Sequence, residues 1–82
     1  MIVVNVTVPG LEKVYNMNLE EKAPVSELIE EIAELIAQKE HAPLNGDIHE
    51  MILGSIDRGL QFRKDRCLRD YGITVGAELI LV

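Results

Sequence analysis

At Glu20-Glu21-Lys22 the spacing of apolar residues changes from two to about 3.6, and that switch constrains the fold more than any other feature of the chain. Before it, Ile2, Val4, Val6 and Val8 fall on one side of an extended run, with Val3, Asn5 and Thr7 on the other. After Pro9-Gly10 a second alternating run sets Tyr15, Met17 and Leu19 against Val14, Asn16 and Asn18. Two such runs joined by a turn read as a hairpin with one buried face. Beyond the switch, Val25, Leu28, Ile29, Ile32, Leu35 and Ile36 line one stripe of a helix, with Glu27, Glu30, Glu31, Glu34 and Gln38 opposite.

The helix is expected over roughly residues 24 to 39. Pro24 suits the first helical position, because the N–H it lacks would have had no intrahelical partner; Glu27 complements the amino-terminal dipole, and Pro43 bars continuation. Burying each stripe residue yields about 1.5–3 kcal/mol. Ordering the chain costs about 1–2 kcal/mol per residue. The helix therefore requires a sheet to lie on.

A polar loop from His41 to Asp47, containing Pro43 and Asn45-Gly46, leads to a third apolar run at Met51 to Leu53. Asp57-Arg58-Gly59 supplies turn chemistry before a short strand at Leu60 to Phe62. Leu68 to Ile73 reads as a brief helical turn closing on Gly72, and Ala77 to Val82 as a last strand with Leu79 and Leu81 inward. With the last strand beside the first, the order strand, strand, helix, strand, strand, strand describes an α+β chain: a mixed five-stranded sheet covered on one face by a single helix. This is the β-grasp arrangement, expected as one domain over residues 1–82.

Eight basic residues against 14 acidic ones give a net charge of -6, which disfavours nucleic acid and anionic lipid as partners. The single cysteine, Cys67, cannot staple the fold, and the amino-terminal run MIVVNVTV is too short and too polar for a targeting or membrane-spanning segment. A cytoplasmic protein is expected. His41, His49 and Cys67, with Glu40, Asp47 and Glu50 nearby, have no metal-ligand spacing. Neither a paired-carboxylate nor a triad signature is present, so the expectation is a non-enzyme with no cofactor and no metal.

What remains is recognition of another protein. Arg58, Arg63, Lys64, Arg66 and Arg69 hold five of the eight basic residues, at what reads as the pole opposite the acidic helix stripe, and such a dipole would orient an acidic partner. If Leu79 and Leu81 point to the helix, the pleat turns Ile80 and Val82 outward, with Val3 on the neighbouring strand joining them.

Leu68, Asp70, Tyr71, Ile73, Leu79 and Leu81 match the L-x-D-Y-x-I stretch and final strand of ubiquitin-like proteins, and Val25, Leu28 and Ile32 fall where that superfamily buries its helix. Residues from about Pro43 to Gly59 match poorly and form a longer segment here. Within the superfamily the chain resembles the bacterial YukD-like proteins, associated with type VII (ESAT-type) secretion. The resemblance rests on Val14-Tyr15-Asn16-Met17-Asn18-Leu19, on Pro24-Val25 with Leu28-Ile29, and on Tyr71-Gly72-Ile73-Thr74 with Gly76. It implies an adaptor that binds a protein partner, such as a secretion-machine component, through the outward sheet face. The chain shows no terminal glycine pair, so conjugation in the manner of ubiquitin is not expected. Two other readings stay open: a small ubiquitin-like subunit of a multicomponent oxygenase, or a modifier that has lost its di-glycine tail.

Overall fold

In the computed structural model, which describes residues 1–44 and 46–82, the expected hairpin consists of β1 (Ile2–Val8) and β2 (Lys13–Leu19), joined by a 3-10 turn at Pro9–Leu11. Their antiparallel register runs from Ile2↔Leu19 to Val8↔Lys13. Val4, Val6, Val8, Tyr15, Met17 and Leu19 are all buried, as the alternation requires.

The helix α1 spans Val25–Glu40. Pro24 caps it from just outside rather than occupying its first turn: at φ -57, ψ 141 it is extended, and its carbonyl accepts from Glu27 and Leu28 N–H. The two amino-terminal N–H groups that a proline cap cannot satisfy with a side chain are met from elsewhere in the chain. Val25 donates to Arg66 O (2.8 Å) and Ser26 to Lys64 O (3.1 Å). At the other end His41, at φ 55, closes the helix by donating its N–H to Ala37 O. The buried stripe is Val25, Leu28, Ile29, Ile32, Ala33 and Ile36; Leu35 is half-buried at its margin.

β4 (Leu60–Gln61) and β5 (Glu78–Leu81) are shorter than the runs that announce them, and β3 (Leu53–Ser55) begins only at the last residue of its run. Met51 and Ile52 precede β3, and a 3-10 turn at Ile48–Glu50, capped by the Asp47 carboxylate accepting His49 N–H at 2.9 Å, lies between the expected loop and that run. Asn45 of the expected turn lies outside the described residues. The strand order is β2-β1-β5-β3-β4. β5 runs parallel to β1 (Asn5↔Glu78, Thr7↔Ile80) and antiparallel to β3 (Leu53↔Leu81, Ser55↔Leu79), so it is the central strand. A 3-10 turn at Leu68–Tyr71 closes on Gly72, whose φ of 68 suits a residue without Cβ. Its first turn is capped by Asp70, which accepts Cys67 N–H at 3.0 Å.

One hydrophobic cluster joins the helix, the strands and the Leu68–Tyr71 turn, with Phe62, Leu68 and Ile73 completing it and the Phe62 ring 4.9 Å from that of Tyr71. No helix of the described residues is long and apolar enough to cross a membrane.

Candidate protein-docking face

The pleat that buries one face of the sheet builds the other. Val3, Asn5 and Thr7 of β1, Val14, Asn16 and Asn18 of β2, and Glu78 and Ile80 of β5 all point away from α1. Across the middle of this face runs a polar row one residue deep. Asn16 Nδ2 donates to Asn5 Oδ1 (3.0 Å), and Asn5 Nδ2 donates to Glu78 Oε2 (2.7 Å). The in-register triple Asn16↔Asn5↔Glu78 places these three side chains side by side on three strands.

The row divides the apolar residues that were expected to form one patch. On its far side Ile80 is half-buried between Thr7 and Gly54, and Val82 is 59% exposed. Val82 exchanges two backbone hydrogen bonds with Ile52 (2.9 and 2.6 Å), so Ile52 shares the outward face beside it. Past Val82 the surface falls into an apolar cleft of 190 Å³ between Leu11, Leu44, Met51 and Val82. Val3 does not join this group. Because β1 and β5 are parallel and Ile80 lies beside Thr7, Val3 sits four residues down the strand, about 13 Å away. Its carbonyl accepts from Gly76 N–H (2.8 Å), near exposed Val75 and on the other side of the polar row.

Gly54 shapes the same face. It lies opposite Ile80 on β3, and a Cβ there would come within 2.8 Å of the Leu60 carbonyl oxygen of β4. The missing side chain lets the β4 backbone take the space that a Cβ would fill.

The five basic residues are all exposed but differ in what they hold. Arg58 reaches the carbonyls of Tyr71 and Gly72, the latter at 3.2 Å, and so fastens the end of the Leu68–Tyr71 turn to the β3–β4 connection. Arg63 forms a two-pronged pair with Asp65 (3.1 and 3.0 Å). Lys64 donates to the His49 carbonyl. Arg66 and Arg69 are exposed and carry no ion pair among the described residues. Nor is this segment the pole opposite the acidic stripe: its carbonyls cap α1, and Lys64 and Glu30 line one small cleft. The need to satisfy helix N–H groups draws basic and acidic segments together. Arg66 and Arg69 therefore lie at the amino-terminal end of α1. Ile80 and Val82 lie toward its carboxyl-terminal end, where Lys13 pairs with Glu40.

Sequence reading missed Ile52 and Leu11. Ile52 could have been found by carrying the alternation back from inward Leu53; Leu11 carried no signal, since its position depends on the 3-10 turn.

Neither a family model nor any curated protein matches this chain. Solved structures do. The solution structure of the ubiquitin-like domain of an Arabidopsis thaliana protein superposes with a TM-score of 0.73 at 27% identity, covering 99% of this chain and 74% of that one. The fold is ubiquitin-like. The amino-terminal ubiquitin-like domain of a mouse protein gives a TM-score of 0.71 at 21% identity over 99% of this chain and 72% of that one. In this ubiquitin-like setting α1 covers one side of the sheet, and the Ile80–Val82 face is the side it leaves open.

Proposed function

We propose that the chain is a non-enzymatic ubiquitin-like adaptor that works by docking, not by conjugation, and receives a protein partner on the Ile52, Ile80 and Val82 end of its outward sheet face. The observation that carries this reading is the continuity of that apolar end with the cleft at Leu11, Leu44 and Met51, bounded on one side by the Asn16–Asn5–Glu78 row. An apolar centre with a polar border is the pattern of a protein-binding surface. The net charge of -6 and the internal engagement of Arg58, Arg63 and Lys64 count against nucleic acid. A cytoplasmic role as an accessory of a type VII secretion machine is the finer part of the proposal, and its support is the resemblance of Val14–Leu19, of the α1 start and of Tyr71–Gly76 to the YukD-like proteins.

Affinity capture from the native cell, followed by mass spectrometry, tests this. The expected result is recovery of a secretion-machine component with the unaltered chain and its loss with Val82→Asp. Recovery of oxygenase components, or of covalent adducts of the chain, would contradict it.

A further inference from the structure

The open edge of the sheet carries a complete and unused set of backbone hydrogen-bonding groups. β2 has one neighbour, β1. In β1, Asn5 donates its N–H to Ala77 O (3.0 Å) and the Val3 carbonyl accepts from Gly76, so odd-numbered residues of β1 face β5 and even-numbered ones face β2. The register Val4↔Met17 and Val6↔Tyr15 then makes Tyr15 and Met17 the residues that bond to β1. Val14, Asn16 and Asn18 turn their N–H and C=O groups to the edge, where no partner meets them among the described residues. Exposed edges are ordinarily blunted by charge, proline or a bulge. From Val14 to Leu19 this strand has no charged residue and no proline, and all seven residues of β2 keep regular register with β1.

We propose that two copies of this chain join β2 to β2 in antiparallel fashion, across a two-fold axis at Asn16, into one continuous sheet. The occupant is a second copy because the edge is complementary to itself. With the axis at Asn16, Val14 faces the partner's Asn18, Asn16 faces the partner's Asn16, and each of these pairs exchanges two hydrogen bonds, using every open group of the strand. Moving the axis to Tyr15 sets Asn18 against Glu12, which is off the strand at φ 54; moving it to Met17 sets Val14 against Glu20, beyond the end of β2. The side chains agree with the backbone. Asn16 spends one N–H on Asn5, leaving its carbonyl oxygen and second N–H for the same groups of the partner's Asn16. The polar row Glu78–Asn5–Asn16 then runs unbroken through both subunits. This surface is the edge of the sheet and is separate from the Ile80–Val82 end of its face.

Sedimentation analysis of the full chain over rising concentration is the test, with amide exchange read residue by residue. The mass should move from 9.2 kDa toward twice that value. The amides of Val14, Asn16 and Asn18 should gain protection in step with it, while Tyr15 and Met17 are protected throughout. Asn16→Lys sets like charges on the axis and should weaken the dimer by about tenfold or more with an unchanged circular dichroism spectrum. Asn16→Cys in a Cys67→Ser background should form an interchain disulfide on mild oxidation, since directly opposed hydrogen-bonded residues have Cα atoms about 5.5 Å apart. A monomeric mass at every concentration would overturn the proposal. So would an Asn16→Lys dimer of unaltered affinity, or protection of the edge amides only when a strand from a different protein is added.

Discussion

Asn5 Nδ2 lies 2.7 Å from the Glu78 carboxylate, and this contact between the first strand and the central one marks the line across which the strand register separates the outward apolar residues. Val3 is on one side of it, Ile80 and Val82 on the other. Aspartate substitutions should therefore separate. Val82→Asp, at an exposed position, is expected to change stability by no more than about 0.5 kcal/mol and to abolish partner capture. Val3→Asp should leave both nearly unaltered. Ile80→Asp should lose capture and also about 1–3 kcal/mol of stability, because Ile80 is half-buried on the central strand. Urea unfolding of the three variants beside capture assays gives both readings.

Gly54 is a packing requirement. Gly54→Ala places its methyl carbon against the Leu60 carbonyl oxygen, and the short β3–β4 pair must move apart. A loss of about 1–3 kcal/mol is expected, with amide exchange accelerating first at Leu60 and Phe62. Wild-type stability for this variant would show that β4 yields freely.

Arg58 tests whether the basic segment is a docking surface or a structural clip. A lysine has one ammonium to offer where the guanidinium reaches two carbonyls, those of Tyr71 and Gly72. Arg58→Lys should cost about 1 kcal/mol in denaturant unfolding and leave partner affinity unaltered.

The acid limb of stability draws on carboxyls held below their ordinary range, among them Glu40 and Asp70. Hydrogen bonding from Lys13 holds the Glu40 carboxyl below its ordinary range, and the Cys67 N–H does the same for Asp70. A carboxyl whose folded pKa is depressed contributes stability in full above its unfolded value and loses it as the pH falls through the folded value. The melting temperature should thus be level near neutrality and decline below about pH 4. Lys13→Met and Asp70→Asn should each make that decline shallower in thermal unfolding measured at descending pH. Lys13 itself is raised by Glu40, so its share persists below the ordinary lysine range and is lost only as the pH rises through its folded value.

Much of the fold was legible because burial obeys two periods. Tyr15, Met17 and Leu19 at spacing two, and Leu28, Ile32 and Ile36 at helical spacing, are buried where their pattern puts them. Leu79 and Leu81 fix the facing of the central strand in the same way. The ends were less legible, since caps depend on remote partners: nothing local says that Val25 will donate to the Arg66 carbonyl, or that Pro24 will therefore stay outside the helix. The candidate face was legible in part. Alternation placed Val3, Ile80 and Val82 on one side of the sheet, but whether they touch depends on the offset between two strands 70 residues apart in the chain. That offset, Thr7 beside Ile80, is a tertiary quantity that no local pattern encodes. The role of Arg58 was hidden for the same reason, its acceptors lying in a turn that follows another strand.

The docking proposal is tested most directly by an amide chemical-shift titration of the isotope-labelled chain with the partner recovered by capture. The largest perturbations are predicted at Ile52, Ile80, Val82 and Leu11, with Val3 and the exposed α1 residues Glu27, Glu30 and Glu34 unmoved. Perturbations centred on those glutamates, with Ile80 and Val82 silent, would contradict the account.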